Sequence, residues 1–236
     1  MKKVCWIIFL SLACFLLIPT ESTFAQKGTQ VLVPDTVKDS HSKYTAKYTS
    51  GTGHTCTAIL ISSTAAITAQ HCGGTKSMSP AGTIYPGASG LQTPFGYMNI
   101  RYYIPHPKYD IAVIKGIDRD QDKFYKYYIG KFKTKVTGYT TETFNSFVNK
   151  AVYSYGYPYK EGVFKQYRSD GEITHFSQYL PLLSTTLPAY EGQSGSGVFL
   201  KSGQFIGIMT GKTQKDEANV LPFTEEIANW INDNAN

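Results

Sequence analysis

Past its N-terminal stretch, the 236-residue chain has no apolar run approaching the roughly 20 residues that a membrane-spanning helix needs, so its body predicts no such helix. Cysteine is scarce: there are four, and Cys5 and Cys14 both lie in that N-terminal stretch. The other two, Cys56 and Cys72, are far apart and have no clustered histidines, which excludes the usual zinc spacings and predicts no metal. There is no run of five basic residues and no aromatic-basic signature, which argues against a nucleic-acid surface. No histidine follows His175, an absence that separates two hydrolase classes below. No internal repeat or low-complexity tract is present.

What the N-terminus does have is a leader. Lys2 and Lys3 precede an apolar run from Val4 to Ile18, and a polar segment ends in Thr23-Phe24-Ala25. A basic end, a short apolar core and small residues before the cut predict a signal peptide over residues 1–25. A lipoprotein signal fits less well, because Cys14 lies inside the apolar core. Without residues 1–25 the chain has 21 Lys plus Arg against 16 Asp plus Glu, a net of +5 that reads as ordinary solubility. Export leaves Cys56 and Cys72 a single intramolecular pairing, a disulfide worth roughly 3 kcal/mol by loop closure.

The body of the chain is built of short apolar or alternating runs between turn residues. These are Val31-Leu32-Val33, Thr57 to Ile61, Ala65 to Thr68, Ile111 to Ile114, Ala151 to Tyr155 and Gln204 to Met209. Their β-branched and aromatic content reads as strands, and 18 Tyr, 21 Gly and 11 Pro suit an all-β barrel or sandwich. One segment differs: Ile227, Trp230 and Ile231 recur at helical spacing after Pro222 and Thr224, predicting an amphipathic helix over 224–234. The charged, tyrosine-rich stretch between Asp118 and Gly138 reads as a linker between two halves.

Three short motifs carry chemistry. In Thr68-Ala69-Gln70-His71-Cys72 a histidine follows a strand, and a bridge from Cys56 to Cys72 would pin the backbone beside its imidazole. A general base needs such restraint. Asp110 heads the apolar run Ile111-Ala112-Val113-Ile114, where a partly buried carboxylate can accept the imidazole N–H. Asp118, Asp120 and Asp122 sit in the charged linker and are poorer candidates. In Gly192-Gln193-Ser194-Gly195-Ser196-Gly197, glycines on both sides of Ser194 permit a tight turn. They also let the N–H groups of Gly192 and Ser194 converge on a developing oxyanion. Ser196 is the internal rival, without a glycine two residues before it. An α/β-hydrolase would place its acid and histidine after the nucleophile, whereas the order here is His, Asp, Ser.

On these motifs, together with His106-Pro107-Lys108-Tyr109, Gly156-Tyr157-Pro158 and Gly207-Ile208, the sequence resembles the chymotrypsin-like serine proteases. It is closer to the bacterial branch of glutamyl endopeptidases and exfoliative toxins. The resemblance runs from about Val31 to the C-terminal helix. It implies two six-stranded antiparallel β-barrels, over 31–122 and 123–236, with a closing helix and the triad His71, Asp110 and Ser194 in the cleft between them. It also implies that His106 is a loop residue near the acid; His41, His54 and His175 receive no role. Three departures stand out. Met209 follows Gly207-Ile208 where glutamyl-specific members have histidine, and Ala189 stands where they have threonine. These two residues of the specificity pocket point to a neutral, apolar preference, since a buried carboxylate there would lack partners. Gln193 replaces the aspartate that receives a new N-terminal ammonium in trypsin-like members. Residues 26–30 are then either a very short propeptide or the start of the mature chain at Gln26.

The expected protein is a secreted, monomeric serine endopeptidase without a stable membrane anchor. It acts on peptide or protein substrates and needs no cofactor. Ser194 attacks the peptide carbonyl, His71 takes and returns the proton, and Asp110 orients the ring. Peptidase rather than esterase activity is implied by the resemblance alone. The rival readings are a catalytically silent binding protein or toxin, whose signature would be a blocked cleft, and a structural envelope protein with a fortuitous motif.

Overall fold

A computed structural model of the protein describes residues 27–236; the expected signal peptide over 1–25 lies outside the described residues. The first half contains strands β1 (Thr29–Leu32), β2 (Thr45–Ser50), β3 (Thr55–Leu60), β4 (Ala65–Thr68), β5 (Gly82–Pro86), β6 (Met98–Ile100), β7 (Tyr102–Pro105) and β8 (Ala112–Lys115). Helices α1 (Lys123–Ile129) and α2 (Thr141–Phe147) follow. The second half has β9 (Ala151–Gly156), β10 (Tyr159–Lys160), β11 (Val163–Phe164), β12 (Tyr167–Ser177), β13 (Leu182–Pro188), β14 (Gly197–Leu200), β15 (Phe205–Lys212), β16 (Glu217–Pro222) and helix α3 (Glu225–Asn234).

Two antiparallel sheets curl into barrels. The first has the order β6-β5-β2-β3-β4-β8-β7. β6 and β7 are consecutive, separated only by Arg101, whose N–H still bonds Lys115 at 2.8 Å. They therefore act as one bent strand, and the sheet is six-stranded in effect. The second barrel runs β12-β13-β16-β15-β14-β9 and closes by pairing of β9 with β12.

Alternation explains why the first-barrel strands read as unbroken apolar runs. In β3, Ala58 and Leu60 point into the first core, while Ile59 faces the other barrel. β8 repeats the pattern, with Ala112 and Ile114 inward and Val113 outward. Both faces are buried because the outward face meets Ile208, Leu221 and Phe223 of the second half and Ile227 and Ile231 of α3. α3 matches the predicted segment. Thr224 caps it by accepting from the Ile227 N–H at 3.3 Å, and Glu225 and Glu226 suit the positive end of its dipole.

Two boundaries differ from the sequence reading. Residues 31 and 32, expected in the first barrel, lie in β1, which pairs with Tyr167 to Asp170 of β12 in the second sheet. A four-residue strand goes where its edge partner is, and β12 leaves that edge open because its own pairing with β13 covers only Ile173 to Ser177. The linker is also structured. Asp122 caps α1 through the Tyr125 N–H at 2.7 Å, and Tyr125 and Ile129 enter the first core. Seven residues with exposed Phe124, Tyr127 and Tyr128 are too few and too aromatic to show a helical period. Among the described residues, no helix is long and apolar enough to cross a membrane.

Candidate active site

β4 delivers the histidine. After Thr68 the chain enters a short 3₁₀ turn over Gln70–Cys72, and Cys72 is joined to Cys56 of β3 with a Cα–Cα distance of 6.2 Å. His71 is thus flanked by a strand end and a covalent anchor. Its half-exposed ring reaches two partners: Nδ1 lies 2.8 Å from Asp110 Oδ2, and Nε2 lies 2.7 Å from Ser194 Oγ. The second carboxylate oxygen, Oδ1, accepts the backbone N–H of His71 at 2.9 Å, so Asp110 holds both ring and main chain. The hydrogen bond to Asp110 is the main reason the His71 pKa is raised, ahead of the opposing effect of burial and the added attraction of the carboxylate charge.

Asp110 is itself held by the loop between β7 and β8. Buried His106 folds this loop over its own ring, with Nδ1 accepting the N–H groups of Lys108 at 3.0 Å and Tyr109 at 3.1 Å. The ring meets Trp230 of α3 edge-on at 4.6 Å. Burial lowers the pKa of His106, which keeps Nδ1 available as an acceptor. It has no hydrogen bond to Asp110 or Ser194 and packs against Tyr109 and Trp230 instead.

Ser194 sits on the turn between β13 and β14. Two glycines make the turn possible. Gly192 has φ +92° and Gly195 has φ +88°, and a Cβ at either would lie 2.3 Å from the Tyr157 carbonyl oxygen or 2.1 Å from that of Thr57. Ser196 is fully buried and its Oγ has no partner among the described residues, so it is no rival to Ser194.

Neighbouring peptide planes orient two amides. The Glu191 carbonyl accepts the Tyr159 N–H at 2.8 Å, which turns the N–H of Gly192 the other way across a trans peptide. The Gln193 carbonyl accepts the Ser196 N–H at 2.9 Å and does the same for the N–H of Ser194. Neither amide finds an acceptor among the described residues. Two such donors beside a serine hydroxyl can receive negative charge developing on a carbonyl oxygen.

The cleft is open. His71, Gly192 and Ser194 border a cavity of about 590 Å³ that also touches Tyr159 and Phe164. A smaller cavity of about 250 Å³ also borders Ser194. Ala189 and Met209, both buried, line this smaller cavity. Its lining is not apolar throughout, since Glu191 and Lys212 also border it and Lys212 pairs with Asp216. Cys56, His71 and Cys72 offer ligand-type atoms within 4.8 Å of one another, but sulfurs joined as a disulfide provide no thiolate for a metal.

A family model described as Trypsin matches residues 34–231, most of the chain and both barrels. The chain belongs to the trypsin family. Exfoliative toxin A of Staphylococcus aureus is 32% identical over 77 residues, a stretch covering 32% of this chain and 26% of the toxin. The match thus spans about a quarter of that curated relative. Among solved structures, a Glu endopeptidase superposes with a TM-score of 0.70 at 20% identity, covering 87% of this chain and 96% of its own. Neuropsin, a serine protease expressed in mouse brain, gives 0.59 at 14% identity, covering 83% and 95%. The chain is thus similar to an exfoliative toxin over a third of its length and to a Glu endopeptidase in fold.

Within this trypsin-family cleft the structure brings His71, Asp110 and Ser194 into one hydrogen-bonded chain. Sequence reasoning missed Thr57. Fully buried, Thr57 donates its hydroxyl to the Gly192 carbonyl at 2.8 Å and its N–H to the Ser194 carbonyl at 2.9 Å. A threonine in a β-branched strand gives no signal of such a task. Lys212 and Gln30 were missed for the same reason: only folding brings them to the loop.

Proposed function

We propose that this trypsin-family protein is a serine endopeptidase, exported through the signal peptide at residues 1–25 and acting outside the cell. The chain from Ser194 Oγ through His71 to Asp110, with links of 2.7 and 2.8 Å, is the observation that carries the proposal. Ser194 Oγ attacks the peptide carbonyl as His71 Nε2 takes its proton. Asp110 steadies the imidazolium and fixes the tautomer. The N–H groups of Gly192 and Ser194 receive the oxyanion of the tetrahedral intermediate. The proton on His71 passes to the leaving amine, and water, activated by the same ring, then hydrolyses the acyl-enzyme. The open cleft beside Ser194 supports an enzyme over a silent binder.

The wall formed by Ala189 and Met209 favours a neutral, apolar side chain on the acyl side of the cut bond. One observation favours a second reading: Lys212 borders the same cavity and offers a cation to an acidic side chain. Its pairing with Asp216 leaves the first reading ahead.

The test is the mass of the secreted protein before and after treatment with a serine-reactive phosphonate, beside Ser194→Ala. One stoichiometric adduct on the parent alone is expected. No adduct on folded, processed protein would sink the peptidase reading in favour of a binding protein.

A further inference from the structure

We propose that Gln30 is a positioning residue for the loop that carries Ser194, acting through Gln193, and that residues upstream of Val31 therefore stay in the mature enzyme. The proposal rests on the reading of Ser194 as nucleophile.

The upstream segment is built into the second barrel. β1 runs antiparallel to β12, with Thr29 opposite Asp170 and Leu32 opposite Tyr167. One residue earlier, Gly28 passes so close to the barrel that a Cβ would lie 2.1 Å from the Thr186 carbonyl oxygen and 2.8 Å from that of Asp170. Those are backbone atoms of β13 and β12, and they cannot yield as a flexible side-chain end would. Only glycine passes there, so the chain before Val31 is seated between two strands.

Gln30 uses that seat to reach the catalytic loop. Its Nε2 donates to Ser169 Oγ at 2.8 Å and to Gln193 Oε1 at 3.1 Å, and the Pro188 carbonyl lies at 3.4 Å. Gln193 is 1% exposed and immediately precedes the nucleophile. Its Oε1 also accepts the Tyr190 N–H at 2.8 Å. Both lone pairs of this buried oxygen are thereby used, one by its own loop and one by β1. Its Nε2 has no partner among the described residues, so the side chain is held through its oxygen alone. The Gln193 carbonyl meanwhile accepts the Ser196 N–H, which turns the Ser194 N–H the other way across the shared peptide.

A neutral carboxamide at 193 cannot form an ion pair with a new chain terminus, but it can accept from a neutral amide. The geometry supplies that donor from inside the chain. Cutting before Val31 would remove Gln30, the tight passage at Gly28 and half of β1. The alternative of a propeptide over 26–30 is thereby disfavoured.

The test compares five proteins: the chain starting at Gln26, its Gln30→Met, Gln193→Met and double variants, and the chain starting at Val31. Methionine keeps the length of the side chain and removes its amide. Steady-state rates on a peptide substrate are read beside hydrogen exchange of residues 189–196. Gln30→Met is expected to lower kcat about tenfold, the scale of one hydrogen bond to a buried acceptor, with KM within about twofold. Exchange at the Tyr190 amide should rise, and the double variant should lose no more than Gln193→Met alone. The chain starting at Val31 should be no more active than Gln30→Met. Unchanged kcat in Gln30→Met, multiplying losses in the double variant, or full activity from a Val31 start would each overturn the proposal. If the parent neither cleaves peptides nor takes phosphonate, the peptidase reading fails instead, and exchange in the 189–196 loop still decides on Gln30: unchanged exchange in Gln30→Met overturns it.

Discussion

The hydroxyl of Thr57, on the first barrel, donates to the carbonyl of Gly192, on the second, at 2.8 Å. The same hydroxyl accepts the N–H of Tyr157 at 3.0 Å, and the Thr57 carbonyl accepts the Thr68 hydroxyl at 2.8 Å. Thr57 therefore ties the strand leading to His71 to the loop bearing Ser194. On the proposed mechanism, this tie should help set the reach from His71 to Ser194.

Thr57→Val tests that lock. Valine keeps the branched shape but leaves the Gly192 carbonyl and the Tyr157 N–H without their buried partner. A stability loss of about 1–3 kcal/mol is expected from the unsatisfied groups. A fall in kcat of about 10- to 100-fold should accompany it, because loss of one oriented oxyanion donor costs about 100- to 1000-fold. Steady-state kinetics and a thermal melt on the same sample check both; unaltered kcat would show that the loop is held elsewhere.

The pH profile follows from His71. In the proposed mechanism the neutral ring is the base, and Asp110 raises its pKa, so kcat/KM should fall as pH drops through a value above the usual 6.5. Asp110→Asn removes the charge and replaces one of the two acceptor oxygens with an N–H donor. The acid limb should move to lower pH while the plateau falls roughly 10⁴-fold. The stability linkage runs with the proton. A raised folded pKa contributes stability that is full below the unfolded pKa and is lost as pH rises through the folded one. The melting-temperature gap between parent and Asp110→Asn should therefore widen on acidification from about pH 8 to about pH 6, near the ordinary histidine pKa. A gap that shrinks over that range would contradict the assignment.

Breaking the Cys56–Cys72 bridge should act on both stability and rate. Loop closure over 16 residues is worth about 3 kcal/mol, or a melting shift of about 6–12 °C at this chain length. Because Cys72 adjoins His71, Cys56→Ser and Cys72→Ser should also lose activity well below their melting points. Full activity at low temperature would mean that the strand end alone positions the ring.

For the pocket, a peptide library should place apolar residues ahead of glutamate on the acyl side of the cut. Met209→His introduces a polar partner where the wall is now apolar, and should raise the relative rate for glutamate about tenfold, the scale of one added hydrogen bond. Lys212→Met should leave the ranking of neutral residues unaltered. A parent profile topped by glutamate, abolished in Lys212→Met, would establish the second reading of the pocket.

Much of this was legible in the residues themselves. Short β-branched runs announced the strands, Thr224 and the spacing of Ile227 and Ile231 announced α3, and the order His71, Asp110, Ser194 excluded the α/β-hydrolase arrangement. α1 was not legible, because Tyr125 and Ile129 gain meaning only against a core that other strands build. The destination of β1 was hidden for a related reason: any short apolar strand can pair with any open edge, and the open edge belongs to β12, far along the chain.

The sequence by itself determined the chemistry available: which hydroxyl, imidazole and carboxylate the chain owns, where glycine frees the backbone, and which two thiols can meet. Those are local properties, written in residue type and spacing. Only the tertiary structure decided which groups share a cleft and what steadies them. Thr57 meeting Gly192, Gln30 meeting Gln193 and Lys212 bordering the pocket are contacts between segments distant in sequence. Barrel closure and strand register set them, and no residue carries a local mark of its distant partner.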